Sequence, residues 1–243
     1  MVWYFAYGSN MRSSVMTNRS ITPQRAVAAR VPTHVLTFDI FGFPYSEPSF
    51  ASIAERSNVA VKTVLSKNGT VELPPVHGVA YLITQEEYIK LVVSEGGGVA
   101  YREIEIEAEF LTEKGQPSGQ RATVSTLEAK YPFRPNAAPS ARYLGLLITG
   151  AAEHKLPHDY QEYLHQLECL EPPQSRLLRL RAFFFLSFWK PVLQQLVKYM
   201  KANVKADGHC EQWIEDLIVR GYGAMWSSHN WVYAPFWGRG DGR

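Results

Sequence analysis

At 243 residues, with 46% hydrophobic and 20% charged residues, the chain is long enough to bury one large core, with or without an appendage. A formal net charge of +2, scattered rather than clustered, excludes nucleic acid as the expected partner. Cys169 and Cys210 are too few for a secreted disulfide scaffold, and no basic region with an apolar run and cleavage site opens the chain, so a cytoplasmic setting with reduced thiols is expected.

The opening run Trp3-Tyr4-Phe5-Ala6-Tyr7 is unbroken aromatic and apolar sequence and reads as a short buried strand. Gly8-Ser9-Asn10 ends it in a turn that can aim several backbone N–H groups into one concave space. An ordinary first strand and turn fit the same residues. Residues 11–19 follow as helix or loop. Residues 27–30 and 35–41 read as two strands parted by Pro32, and 42–49 as a loop broken by Gly42, Pro44 and Pro48. Phe41, Phe43, Tyr45 and Phe50 there either line a pocket or cap an edge of the core. Residues 52–67 fit strand pieces or a helix equally, and Asn68-Gly69 signals a turn. Residues 76–83 form a firm strand, and 85–93 a helix capped by Thr84 with Glu87 completing a capping box.

That helix ends at Ser94-Glu95-Gly96-Gly97-Gly98. A helix terminator needs one glycine, so two extra ones mark a mobile loop or a place where a ligand approaches the backbone. Residues 101–111 alternate strictly, with Glu103, Glu105, Glu107 and Glu109 on one face, as in a half-buried strand with an acidic wet side. Lys114-Gly115 turns the chain, and 121–126 returns as a hairpin partner. Residues 131–139 are proline-rich and irregular. Ser140 caps a helix over 141–153, and 159–169 forms another. Pro172-Pro173 marks a boundary between residues 1–172 and 173–243. Beyond it 176–203 and 211–220 are helical, the first kinked or split by Pro191. The apolar run 182–189 is too short to cross a bilayer, which takes about 20 residues. It packs on the core or, as the second reading, contacts a partner or membrane surface. The tail after Trp237 is expected to fray.

Three stretches of this chain, in order, resemble the γ-glutamyl cyclotransferases. Phe5-Ala6-Tyr7-Gly8-Ser9-Asn10-Met11 is similar to the family's N-terminal signature. Ser94-Glu95-Gly96 with Tyr101 resembles the segment of its catalytic glutamate. Ala141-Arg142-Tyr143, followed by Gly150-Ala151 and Leu156-Pro157-His158-Asp159-Tyr160, resembles its substrate-contacting tyrosine and closing helix. The resemblance implies an α+β fold: a small mixed β-barrel with flanking helices over residues 1–172, to which 173–243 adds a helical, aromatic-rich extension. It implies Glu95 as the catalytic acid and base, and Tyr4, Phe5, Ala6, Tyr7, Gly8, Ser9, Asn10, Tyr101 and Tyr143 as substrate-binding residues. By strand parity Tyr101 falls on the glutamate face unless the strand starts irregularly.

The family's reaction needs no metal, cofactor or enzyme nucleophile. The substrate's own α-amine attacks its γ-carbonyl and closes a five-membered ring, so the enzyme mainly has to fold the substrate. A partly desolvated Glu95 suits proton transfer, whereas an exposed turn glutamate would do nothing. Fungal relatives in epidithiodiketopiperazine (gliotoxin-type) biosynthesis look similar and remove γ-glutamyl groups from glutathione adducts. The expected partner is therefore a small γ-glutamyl substrate; glutathione degradation and non-enzymatic γ-glutamyl binding are the alternatives. Other chemistries find less support. Ser9 is not in a G-x-S-x-G elbow, Gly96–Gly98 lacks a P-loop lysine, and His158, Glu162, His165 and Cys169 at helical spacing are explained by a solvated helix face.

Overall fold

The computed structural model describes residues 1–59, 63–66, 69–133, 136–171, 173 and 175–242. The order of elements starts with β1 (Val2–Ala6), a 3-10 turn (Ser9–Met11), α1 (Ser13–Asn18), β2 (Arg25–Phe43) and β3 (Glu47–Glu55). A small hairpin of β4 (Thr63–Ser66) and β5 (Gly69–Glu72) precedes β6 (Pro75–Ile83) and α2 (Gln85–Ser94). Then come β7 (Tyr101–Leu111), β8 (Pro117–Ala129), α3 (Ala141–Glu153) and α4 (His158–Gln166). The C-terminal part holds α5 (Arg176–Ala202), α6 (Gln212–Ser228), a π turn (His229–Tyr233) and α7 (Ala234–Trp237).

The main sheet runs β3-β2-β6-β1-β8-β7, and β2 also pairs with β7 through Ala29–Phe110 and Arg30–Glu109. That second pairing closes five strands into a barrel, with β3 laid outside along β2. Only β1 and β8 are parallel, so the barrel is mixed, as the resemblance implies. Closure requires β1 and β6 to come very near each other at Gly78. A Cβ there would lie 2.2 Å from the Ala6 carbonyl oxygen, so this position takes glycine for space. One core fills the barrel and the helices on it. A second cluster, built on Phe185, Leu193, Met225 and Trp226, joins the C-terminal helices to Phe41, Phe43 and Tyr45 of the β2–β3 hairpin.

Several expectations change. The two strands around Pro32 are one strand. Pro32 sits where β2 shifts register on β6 between Val31 and Val35 and takes up β3 at His34, so the missing N–H falls at a bulge. The expected loop over 42–49 shrinks to a tight connection, with Pro48 inside β3. Within the ambiguous residues 52–67, 52–55 complete β3, Arg56–Asn58 form a 3-10 turn and Thr63–Ser66 form β4; residues 60–62 and 67 lie outside the described residues, as do Asn68 of the expected turn and Pro172. The helix expected over 159–169 ends at Gln166, which leaves Cys169 off it, and His158 and Glu162 are exposed on it. Pro191 does not split α5. The Ser187 carbonyl that loses its donor lies on the exposed side, where water replaces it. α6 runs past Arg220 through Gly221 because α5 lies close there, at 2.9 Å from a Cβ to Leu196.

The tail does not fray. The Tyr45 amide donates to the Gly240 carbonyl and the Ala138 amide to that of Asp241 at 2.8 Å, while the Tyr45 hydroxyl reaches the Gly238 carbonyl at 2.8 Å. Asp241 is buried and paired with Arg239. Among the described residues no helix is long and apolar enough to cross a membrane.

Substituting Gly78→Ala must separate β1 from β6. A loss of about 2–3 kcal/mol, the overpacking range, is expected in chemical denaturation; an unchanged midpoint would contradict the close approach.

Candidate functional site

β1 delivers the chain to the rim of the barrel, where Gly8 breaks the strand and Ser9–Met11 wind one 3-10 turn. The Met11 and Arg12 amides return to the Gly8 and Ser9 carbonyls at 3.0 and 3.2 Å. This turn leaves Ser9 and Asn10 facing the end of α2. α2 has the expected capping box, with Thr84 accepting from the Glu87 amide and the Glu87 carboxylate accepting from Thr84. Its C-cap is Glu95, whose amide still bonds to the Leu91 carbonyl at 3.0 Å. The carboxylate is thereby fixed at a helix end.

Asn10 joins the two. Its Nδ2 donates to Glu95 Oε1 at 2.9 Å and to the Tyr4 hydroxyl at 3.0 Å. Asn10 is buried, and its Oδ1 has no hydrogen-bond partner among the described residues. Arg19, just past α1, closes on the same carboxylate oxygen in an ion pair. Burial works against the charge of Arg19, but the Glu95 carboxylate outweighs it and raises the arginine above its ordinary range.

Above this group lies a cavity of about 470 Å³, and below it a recess of about 20 Å³. Ser9, Glu95, Tyr101 and Tyr143 line both. Tyr4, Tyr7, Gly8 and Asn10 line the recess. Phe5 and Ala6 line neither; they form the barrel wall behind, with the Phe5 carbonyl accepting from Thr126. Tyr101 does reach the site despite its parity.

β3 explains how two tyrosines are held there. The β2–β3 register shifts between Thr37–Ser52 and Ile40–Phe50, which takes Ala51 out of the ladder. Tyr101 donates to the Ala51 carbonyl at 2.9 Å, and Tyr143 accepts from the Ala51 amide at 3.2 Å. Ser140 caps α3 on the Tyr143 amide at 3.0 Å, as expected. A Cβ on Gly8 would stand 3.2 Å from the Tyr143 hydroxyl, so the small residue lets the ring close over the bend. Tyr7 donates to the Leu127 carbonyl.

Burial, followed by the charge of Glu95, raises Tyr4, and burial raises Tyr7 and Tyr101. Tyr143 is pushed up to about 12, chiefly by burial. All four phenols stay neutral at physiological pH and act as hydrogen-bonding groups. Among the described residues lining the two spaces, Glu95 is the only carboxylate.

The triglycine corner has a third explanation. Gly96, Gly97 and Gly98 all have positive φ. What approaches Gly98 is the loop between α5 and α6: a Cβ there would lie 2.5 Å from the His209 ring. Cys210 donates its amide to the Gly97 carbonyl at 3.2 Å, and His209 Nε2 lies 3.1 Å from Glu103. The glutamate row is thus partly engaged, since Glu109 also pairs with Arg30 and Arg121. One wall of the cavity comes from α5 and α6, through Val197, Met200, Lys201, Ile218 and Tyr222, and meets Phe41 and Phe50 of the β2–β3 hairpin, with the Phe41 ring 4.9 Å from the Tyr222 ring. The hairpin aromatics do both things expected of them: Phe41 and Phe50 line the cavity, while Phe43 and Tyr45 pack on the second cluster. Arg19 and this wall escaped the sequence reading.

A closed mixed barrel with one carboxylate at its rim, facing the bend after β1, is the arrangement expected of a cyclotransferase. Sequence comparison agrees. Residues 75–164 match the AIG2-like family and residues 175–236 the AclK C-terminal domain. A γ-glutamyl cyclotransferase, gliK, of Aspergillus fumigatus is 47% identical over all of this chain and 90% of its own length. A second, aclK of Aspergillus oryzae, is 40% identical with the same coverage. A solved structure titled γ-glutamyl cyclotransferase covers 90% of the chain and 98% of its own at a TM-score of 0.52 and 19% identity, which supports the fold. The chain belongs to the γ-glutamyl cyclotransferase family.

Gly98→Ala collides with His209 and strains a left-handed residue. It should cost about 1–3 kcal/mol and detach the α5–α6 loop from the corner. Faster amide exchange at Cys210, the donor to Gly97, would report that detachment; unchanged protection would refute it.

Proposed function

We propose that the enzyme cleaves a γ-glutamyl amide by intramolecular aminolysis, releasing 5-oxoproline and the free amine. The observation that carries this reading is the bond from Asn10 to Glu95, which puts the cavity's carboxylate beside the bend that follows β1. The glutamyl group sits in the cavity against Ser9, Glu95, Tyr101 and Tyr143, over a recess with room for about one water. Its α-ammonium donates to Glu95 and to the open Oδ1 of Asn10. Glu95 takes a proton from the α-ammonium, the α-nitrogen attacks the γ-carbonyl, and the new C–N bond replaces the old one as Glu95 returns that proton to the departing nitrogen. The second proton that the ring nitrogen sheds passes through Glu95 in the same way, so the amine leaves in its ammonium form. The amides of Gly8, Ser9 and Asn10 and the Tyr143 hydroxyl face the charge that develops on the carbonyl oxygen or the α-carboxylate. Most of the acceleration comes from holding the amine against the carbonyl in a site walled by neutral phenols.

Arg19 has a positioning role in this scheme. It occupies Glu95 in the empty site and turns to the substrate α-carboxylate when the α-ammonium takes its place. The substrate is a glutathione S-conjugate of gliotoxin type, and its cysteinylglycine S-conjugate is the leaving group. This rests on the resemblance to fungal relatives of that kind and on a cavity with an apolar wall of Val197, Met200, Ile218 and Tyr222. Lys201 and Arg142 at its edge suit the carboxylate of the conjugate's peptide arm.

Glu95→Gln should lower 5-oxoproline release by about 10²–10⁴-fold while substrate still binds in calorimetry. Retained turnover would contradict Glu95 as the acid and base, whereas binding without any 5-oxoproline release by the unaltered chain would mark a non-enzymatic γ-glutamyl-binding protein. In a substrate panel, γ-glutamyl S-conjugates with bulky apolar groups should exceed free γ-glutamyl dipeptides and unmodified glutathione in kcat/KM. Equal or better use of glutathione would instead mark a glutathione-degrading enzyme. Arg19→Met should raise KM by about 10–100-fold with a smaller loss in kcat, the signature of lost ground-state binding. A loss confined to kcat would contradict its proposed contact with the substrate carboxylate.

A further inference from the structure

The outer side of α5 is apolar where a soluble helix is normally polar. Ala182, Phe185, Leu193 and Met200 bury one face. On the opposite side Leu177, Leu180, Phe184 and Phe188, spaced three, four and four residues apart, form one stripe and are each more than half exposed. The C-terminal turn carries two more exposed aromatic residues: Trp231 is 82% and Phe236 76% exposed, and their segment packs on the buried face of the same half of α5 through Tyr233 against Phe185 at 4.9 Å.

The charges along this half of α5 have one sign. Residues 176–192 contain Arg176, Arg179, Arg181 and Lys190 and no carboxylate; beside the C-terminal turn Arg239 is neutralised by Asp241. At about 100° per residue, Arg176 and Lys190 flank the stripe on one side and Arg181 on the other. A second copy of the chain would bring these cationic margins face to face. The stripe also lies along the crest of a helix, a shape that inserts into a surface rather than receiving a segment.

We infer that the N-terminal half of α5, with Trp231 and Phe236, docks on an anionic lipid bilayer surface. The aromatic and leucine side chains enter the headgroup–acyl boundary, and the arginine and lysine heads stay at the phosphates. Trp231 takes the interfacial position that tryptophan favours. The helix lies on the membrane and does not cross it. Its C-terminal half, through Val197, Met200 and Lys201, walls the cavity, so docking holds the cavity close to the lipid surface. This inference does not depend on the proposed reaction.

The test is co-sedimentation of the full chain with phosphatidylcholine vesicles, with and without phosphatidylserine, alongside light scattering without lipid. The protein should pellet with the anionic vesicles, remain in solution with the neutral ones, and show a blue-shifted tryptophan emission that high salt reverses. Phe184→Ser with Phe188→Ser should weaken the partition roughly tenfold or more, and activity on a small soluble γ-glutamyl substrate should be unchanged. Arg176→Glu with Lys190→Glu, which keeps the aromatic residues, should abolish the preference for anionic lipid. Failure to bind anionic vesicles, or equal binding to neutral ones, overturns the inference. So does a stable dimer that the Phe184→Ser, Phe188→Ser variant dissolves, because the stripe would then be covered by a second copy.

Discussion

The hydrogen bond from Asn10 to Glu95 fixes the geometry of the candidate site. It joins the end of the first strand to the end of a helix 85 residues later. Neither group holds this position alone. Asn10 is placed by the 3-10 turn that Gly8 starts, and Glu95 by the last turn of α2. The barrel makes the meeting possible because β1 pairs with β6, and β6 leads through Thr84 into α2. Buried polar groups impose a demand as well. Once Asn10 is buried, each of its hydrogen-bonding atoms needs a partner. Two bonds satisfy the amide nitrogen, to Tyr4 and Glu95, while the oxygen has no partner among the described residues.

The same accounting explains the tyrosines. A register shift frees both backbone groups of Ala51, and Tyr101 and Tyr143 satisfy them. The rings are therefore locked by the sheet's own irregularity. Their high affinity for their protons follows from burial, so they shape and hydrogen-bond the site as neutral groups around its carboxylate. The C-terminal helices belong to this site in a physical sense. They press His209 onto Gly98, supply one wall of the cavity, and are strapped back to the β2–β3 hairpin at Tyr45 and Gly240.

What the sequence made legible follows its local signals. Strand alternation over 101–111, the capping box at Thr84 and the Ser140 cap all act within a few residues, and each is found in place. The barrel and the position of Glu95 were legible through three ordered motifs rather than through periodicity. The long-range contacts were not. Arg19 lies 76 residues from its partner, and nothing in its own neighbourhood marks it. The glycines at 96–98 announced a close approach but not by what, because His209 comes from the far end of the chain. The tail looked like a fraying end, since its glycines carry no apolar signal. Gly240 is there because a Cβ would stand 2.1 Å from the Tyr45 ring.

A crystal structure of the Glu95→Gln protein with an intact γ-glutamyl amide tests this picture most directly. The account requires the glutamyl group in the cavity beside residue 95 and the bend after β1, its α-nitrogen within hydrogen-bond distance of residue 95 and Asn10 Oδ1, and the leaving group against α5 and α6. A glutamyl group bound elsewhere, or one whose α-nitrogen points away from residue 95, would contradict it.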